Sequence, residues 1–164
     1  MDEFSTLYKL NKDTIYIYFL YKTKDDYIAQ ELLAQTFFLA YKSLNSFKGN
    51  SKFSTWLMGI SKNVFKDYLR KEKKFDTVPL ENVESYLSYD SNLDKKLIEN
   101  EELLSLFKAI DSLDEDFREI IMLRAVCNMS NLEIAQLLDK KETYIRVKFH
   151  RGKVKLKEIL KERV

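Results

Sequence analysis

The chain has 164 residues, 45% hydrophobic and 33% charged, with 28 Lys/Arg against 26 Asp/Glu and a net charge of +2. That length makes one ordinary domain or two small ones, with enough apolar residues for a core. No run of about 18 apolar residues exists, so no transmembrane helix is expected. The lone cysteine, Cys127, excludes an internal disulfide and a Cys-based zinc cluster. The acidic start, Met1-Asp2-Glu3, lacks the basic and apolar parts of a signal peptide, so the expected compartment is the cytoplasm. Three Gly and one Pro are few for this length and favour long helices over strands and turns.

Residues 4–22, rich in Leu, Ile, Tyr and Phe, predict a first helix. Ile28 to Leu44 predicts a second, with Leu32, Leu33, Phe37, Ala40, Tyr41 and Leu44 apolar. A polar loop, Phe47-Lys48-Gly49-Asn50-Ser51-Lys52, separates it from the strongest periodicity in the chain, Phe53 to Leu69. There Phe53, Leu57, Ile60, Val64 and Tyr68 recur at helical steps, while Lys62, Lys66 and Arg70 lie one turn apart on another face. From Phe75 to about Leu97 the pattern breaks around the sole proline, Pro79, which reads as a linker.

A second domain starts near Leu97. One apolar stripe runs through Leu103, Leu106, Phe107 and Ile110, another through Phe117, Ile120, Ile121 and Leu123, and Asp114 is placed as the N-cap between them. Ser130 and Glu133 have capping-box spacing ahead of a short helix, Asn131–Leu138. After the polar break at 139–142 a longer helix begins near Thr143, with Ile145, Phe149, Gly152 and Leu156 inward and basic residues on its other faces. Two short-linked helices, the second strongly basic, predict a helix-turn-helix.

Charge is unevenly spread. Residues 1–74 carry +5 and residues 140–164 carry +7, while 75–100 and 101–139 carry −4 and −6. Two basic regions around an acidic one suggest two surfaces for a polyanion. No Asp/Glu/His set has metal spacing, and one His and one Cys leave no nucleophile–base set, so neither metal, cofactor, small-molecule substrate nor enzymatic activity is expected.

The segment FKGNSKFSTWL at Phe47–Leu57 closely resembles the F-R-G-x-S-x-F-x-T-W-L pattern of the ECF (extracytoplasmic function) sigma factors. TFFLAYKSL before it and ISKNVFKDYLRK after it are similar to the family's flanking motifs. SLDEDFREIIMLRAV and MSNLEIAQLLDKKETYIRVKFHRGKVKLKEIL are similar to its second conserved region, so the resemblance covers roughly residues 28–74 and 103–160. It implies an all-α chain of two small helical domains, sigma region 2 over 1–75 and region 4 over 98–164, joined by a linker at 76–97. The implied function is to bind core RNA polymerase, recognise the −10 and −35 promoter elements, melt the −10 region and direct initiation.

By the same resemblance, Glu31, Leu32, Gln35 and Phe38 meet the clamp of the polymerase's largest subunit, and the polymerase partner includes its clamp and flap regions. Phe47, Lys48, Asn50, Ser51, Lys52 and Asn63 take a flipped −10 base, with Lys62, Lys66 and Arg70 on phosphates. Thr143, Arg146, Val147, Lys148, Arg151 and Lys153 face the −35 groove. An anti-sigma partner, often membrane-anchored in this family, is also implied. Ala34-Gln35 replaces the family's Gln-Glu, Asp139-Lys140 stands in the turn in place of Gly and an apolar residue, and Tyr144 and Val147 suggest a distinct −35 preference. Phe47 reads equally as a domain plug or as part of the base pocket, and the acidic linker as simple solvation or as a nucleic-acid mimic in the RNA-exit path. Trp56 and Cys127 are expected in the core. The rival reading is a free-standing, dimeric DNA-binding regulator using the same helix-turn-helix.

Overall fold

The computed structural model describes residues 3–75 and 100–162, so the segment 76–97, read from sequence as a linker, lies outside the described residues. The chain is all-α and divides into two compact units, Met1–Lys96 and Leu97–Val164.

In the first unit α1 (Glu3–Thr23) packs on α2 (Asp26–Lys42), and α2 packs in turn on α3 (Phe53–Phe75). Lys24 ends α1 in the left-handed region at φ 56°, and its N–H donates to the Leu20 carbonyl at 2.8 Å. Asp25 then caps α2, its Oδ1 accepting from the Ile28 N–H at 3.0 Å. A tight turn and a full cap within three residues fold α2 back antiparallel on α1. The core is Ile15, Tyr18, Phe19, Ala29, Leu32, Phe37, Ala40, Leu57, Met58 and Val64. Each large side chain enclosed this way contributes about 1.5–3 kcal/mol.

Polar groups inside this core are satisfied locally. Thr36 and Ser61 donate to carbonyls one turn earlier, at 2.7 and 2.9 Å. Asp26, 1% exposed, accepts from the Tyr16 hydroxyl and from Gln30 Nε2 at 3.3 Å. That carboxylate therefore fastens the start of α2 to the middle of α1.

The second unit runs α4 (Glu101–Asp111), α5 (Glu115–Ile121), a π turn (Met122–Val126), α6 (Asn131–Leu138) and α7 (Glu142–Glu162). Asn100 caps α4 by accepting from the Leu103 N–H at 3.1 Å. Asp114 occupies the N-cap position of α5 with extended backbone, but its side chain makes no capping bond; its Oδ2 lies 3.8 Å from Lys155 Nζ instead. Phe107, Ile110, Phe117, Ile120, Ile121, Leu123, Ile134 and Ile145 fill the core. Cys127, expected in the core, is half-buried at the end of the π turn.

α7 lies across α5 at very close range. A Cβ on Gly152 would stand 3.0 Å from Ile121 Cγ1 and 3.3 Å from Phe117 Cδ1, closer than packed carbons normally approach. Glycine there lets the two helices approach.

Candidate nucleic-acid interface

On α2 the buried residues Ala29, Leu32, Thr36, Phe37 and Ala40 define the inward face. Glu31, Gln35 and Phe38 are exposed and, with Lys42, fall within about 60° of one another on an ideal helix. Phe38 is 60% exposed, with Lys42 Nζ 5.4 Å from its ring centre, and Glu31 accepts from the Tyr27 hydroxyl at 2.9 Å. Leu32 does not join them. It is 5% exposed, inside the core, and has no surface to offer a partner. Its place on the helical wheel beside Ala29 and Thr36 was legible in the sequence and corrects its assignment to the outward set.

The loop before α3 turns at Gly49, whose φ of 76° suits a residue without Cβ. The chain enters α3 with the Thr55 and Trp56 N–H groups both donating to the Lys52 carbonyl at 3.1 Å. Phe47, Phe53 and Trp56 form one aromatic cluster, with ring centres 5.1–5.9 Å apart. All three are half-buried, so Trp56 is a wall of this cluster and not a fully enclosed core residue. Lys48, Asn50 and Lys52 are exposed around it, and Ser51 is half-buried. Along α3, Asn63, Lys66 and Arg70 are exposed at steps of three and four, which puts them on one face. Lys62 is half-buried, and Arg70 pairs with Asp67. Aromatic rings, short polar side chains and nearby cations are what an unstacked base and its phosphates require.

Tyr68, on the opposite side of α3, has its phenol pushed up to about 12, first by burial and then by the negative charges of Glu72 and Asp25.

In the second unit Ser130 and Glu133 close a reciprocal cap. The Glu133 N–H donates to Ser130 Oγ at 3.1 Å, and the Ser130 N–H donates to Glu133 Oε1 at 3.4 Å. Asp139 ends α6 at φ 55°, ψ 51°, a left-handed conformation that Asp adopts at modest cost. The turn therefore works without glycine, and α7 starts three residues later. Ile145, 0% exposed, anchors α7, with Gly152 buried and Phe149 and Leu156 half-buried behind it.

Thr143, Arg146, Val147, Arg151 and Lys153 are exposed on α7. Arg146 pairs with Glu142 at 3.3 Å and keeps 63% of its side chain exposed. Lys148 behaves differently. Its side chain is 21% exposed, lies back over the Phe117 ring at 4.8 Å and ends 3.4 Å from Asp116 Oδ2. Lys155 mirrors it on the same ring at 4.7 Å. Lys140 and Lys141, given no role from the sequence, are both exposed in the turn ahead of α7.

Among the described residues, no three His, Cys, Asp or Glu gather as a metal-holding group, and no helix is long and apolar enough to cross a membrane.

Residues 7–75 match the family model for Sigma-70 region 2, and residues 103–156 match that for Sigma-70 region 4. The chain is similar to the ECF RNA polymerase sigma-E factor of Escherichia coli (strain K12), at 33% identity over 131 residues, covering 75% of this chain and 69% of the relative. It is also similar to the ECF RNA polymerase sigma factor SigM of Bacillus subtilis (strain 168), at 26% identity over 153 residues, covering 93% and 92%. Among solved structures it resembles the sigma factor RpoE of Bartonella quintana, in complex with the anti-sigma factor NepR. The TM-score is 0.72 at 22% identity, over 98% of each chain. CnrH in complex with the cytosolic domain of CnrY gives 0.69 at 20% identity, over 97% of this chain and 88% of that one. At those identities the likeness speaks to the fold alone.

Proposed function

This chain belongs to the ECF sigma factors, which direct RNA polymerase to promoters and initiate transcription there, and from that premise we propose how its two helical units divide the work. The first unit, over residues 1–75, docks on core polymerase through the outward arc of α2, with Glu31, Gln35 and Phe38 as contacts. Its loop, Phe47 to Lys52, together with Asn63, takes one flipped base of the −10 element and so stabilises the melted strand. Lys66 and Arg70, with Lys62 beside them, hold that strand's phosphates. The second unit, over 98–164, sets α7 in the −35 major groove, where Thr143, Arg146, Val147, Arg151 and Lys153 face the DNA. Residues 76–97 join the two as a linker.

The chain itself makes and breaks no covalent bond; that chemistry belongs to the polymerase, in the cytoplasm where both work. The sigma factor RpoE of Bartonella quintana was captured with the anti-sigma factor NepR, and a partner of that kind is proposed here as well.

The observation that supports this division most directly is the aromatic cluster Phe47–Phe53–Trp56, half-buried and ringed by exposed Lys48, Asn50 and Lys52. A closed core would hide such rings, whereas a base-stacking site leaves them accessible. A promoter-library transcription assay with core polymerase tests it. Asn50→Ala and Asn63→Ala are expected to change −10 preference, and Arg151→Ala to change −35 preference. The reverse pattern would exchange the two units, and uniform loss in all variants would make these residues structural.

A further inference from the structure

The outward face of α7 carries an apolar element that neither phosphate contact nor guanine reading uses. Val147 is 46% exposed and follows directly on Arg146, with Arg151 one turn further along. On an ideal helix it lies about 160° from the anchor Ile145, so it stands nearly opposite the core. Tyr144, 38% exposed, is one turn earlier, its ring flanked by Lys140 Nζ at 5.6 Å and Lys148 Nζ at 5.7 Å. Two ammonium groups hold that ring on the helix surface. Val147, β-branched, keeps essentially one rotamer in a helix and so presents its methyl groups at a fixed place.

A single exposed valine is ordinary on a protein surface; its surroundings give this one a role. Cations before and after it draw the groove of a polyanion onto the position. In the major groove the one apolar group that an unmodified base presents is the C5-methyl of thymine. Any other base edge pressed on Val147 would lose water and gain no partner.

We propose that Val147 reads a thymine of the −35 element through its C5-methyl group, with the Tyr144 ring walling one side of the contact. This rests on the assignment of α7 to the −35 groove and names the base that its apolar position accepts.

The test uses the full chain assembled with core polymerase, on promoter DNA whose −35 element has been selected from a randomised library. Each −35 thymine on either strand is then replaced, one at a time, by deoxyuridine, which differs only in lacking the methyl. At one position the replacement is expected to weaken holoenzyme binding roughly four-fold, the effect of about one buried methyl group. Val147→Ser should erase that difference, while Val147→Thr, which keeps one methyl, should retain it. Val154→Ser should leave it intact: Val154 is 45% exposed but lies roughly 18 Å along the axis from the start of α7, beyond the part of a recognition helix that meets base edges. A −35 preference with deoxyuridine tolerated at every position overturns this proposal alone. So does a thymine–uridine difference that survives Val147→Ser. A library with no −35 preference removes the assignment of α7 and the proposal with it.

Discussion

α2 buries six of its 17 residues, whereas α7 buries two of its 21. The first packs between α1 and α3, and its exposed side runs from Tyr41 to Leu39, about 160° on an ideal helix, with Glu31, Gln35 and Phe38 near the middle. The second is pinned by Ile145 and by the close approach at Gly152, and most of its circumference is left to solvent. Leu32, the residue after Glu31, falls on the packed side of α2 and is core. A side chain one step off the anchor of α7 still has freedom, and Lys148 and Lys155 use theirs to reach back over Phe117 towards Asp116 and Asp114. So substitutions on the six buried positions of α2 should cost folding and those on its exposed side recognition, whereas α7 has only Ile145 and Gly152 fully buried, so most of its substitutions should tell in recognition.

Leu32→Ala is the largest expected break in that contrast. It should cost about 2–5 kcal/mol of stability, as other fully enclosed leucines do. Glu31→Lys, one residue away, should change stability by less than about 0.5 kcal/mol while weakening core-polymerase binding through a reversed interfacial charge. Urea unfolding of the full chain and a core-binding titration read the two effects separately. Equal stability for both variants would mean that α2 is not packed as described.

Gly152→Val comes next. Filling a gap of 3.0 Å to Ile121 should push α7 off α5 and cost about 1–3 kcal/mol, read as a lower midpoint for the second unit's unfolding. No loss would show that the α5–α7 crossing has slack.

Arg151→Ala and Lys148→Ala then separate the two kinds of cation on α7. If Arg151 pairs with a guanine edge, its loss should cost roughly 1–3 kcal/mol at one −35 base. Lys148→Ala should leave base preference alone and remove up to about 1 kcal/mol of stability, the contribution of its stem on Phe117 and a partly exposed ion pair. A −35 library screen and a melting curve for each variant suffice. Should Lys148→Ala shift base preference as Arg151→Ala does, its contact with Asp116 gives way to DNA on binding.

Much of this was legible in the sequence because local chemistry and periodicity agree. The Ser130–Glu133 capping box, the stripe through Leu57 and Val64 and the anchor Ile145 each follow from spacing alone. Scarce Gly and Pro favour long helices, and the resemblance carried by the loop FKGNSKFSTWL implies the all-α fold and the family. What escaped depends on which neighbour a flank meets. Leu32 and Lys148 both lie beside buried stripes, about 60° from Ala29 and from Ile145 on an ideal helix. The wheel alone would have placed both inward, but a resemblance-based assignment carried them outward. Asp114 was placed as a cap by its residue type, yet its side chain turns to Lys155, a partner 41 residues away that no local pattern announces.

The smallest expected effect lies between these extremes, at half-buried Tyr68 on α3. Its phenol is held at about 12 by burial and by Glu72 and Asp25, against about 10 in an unfolded chain. The folded state therefore keeps a proton that the unfolded state gives up between those values. This contribution to stability is fully present below about pH 10 and is lost as pH rises towards 12. Tyr68→Phe has no proton to lose. Its urea midpoint should track the parent chain at about pH 9 and exceed it at about pH 11, by a margin that solvent screening of a half-buried group keeps small. If both chains lose the same stability between those two pH values, the phenol ionises alike in the folded and unfolded states, and α3 is open to water at Tyr68.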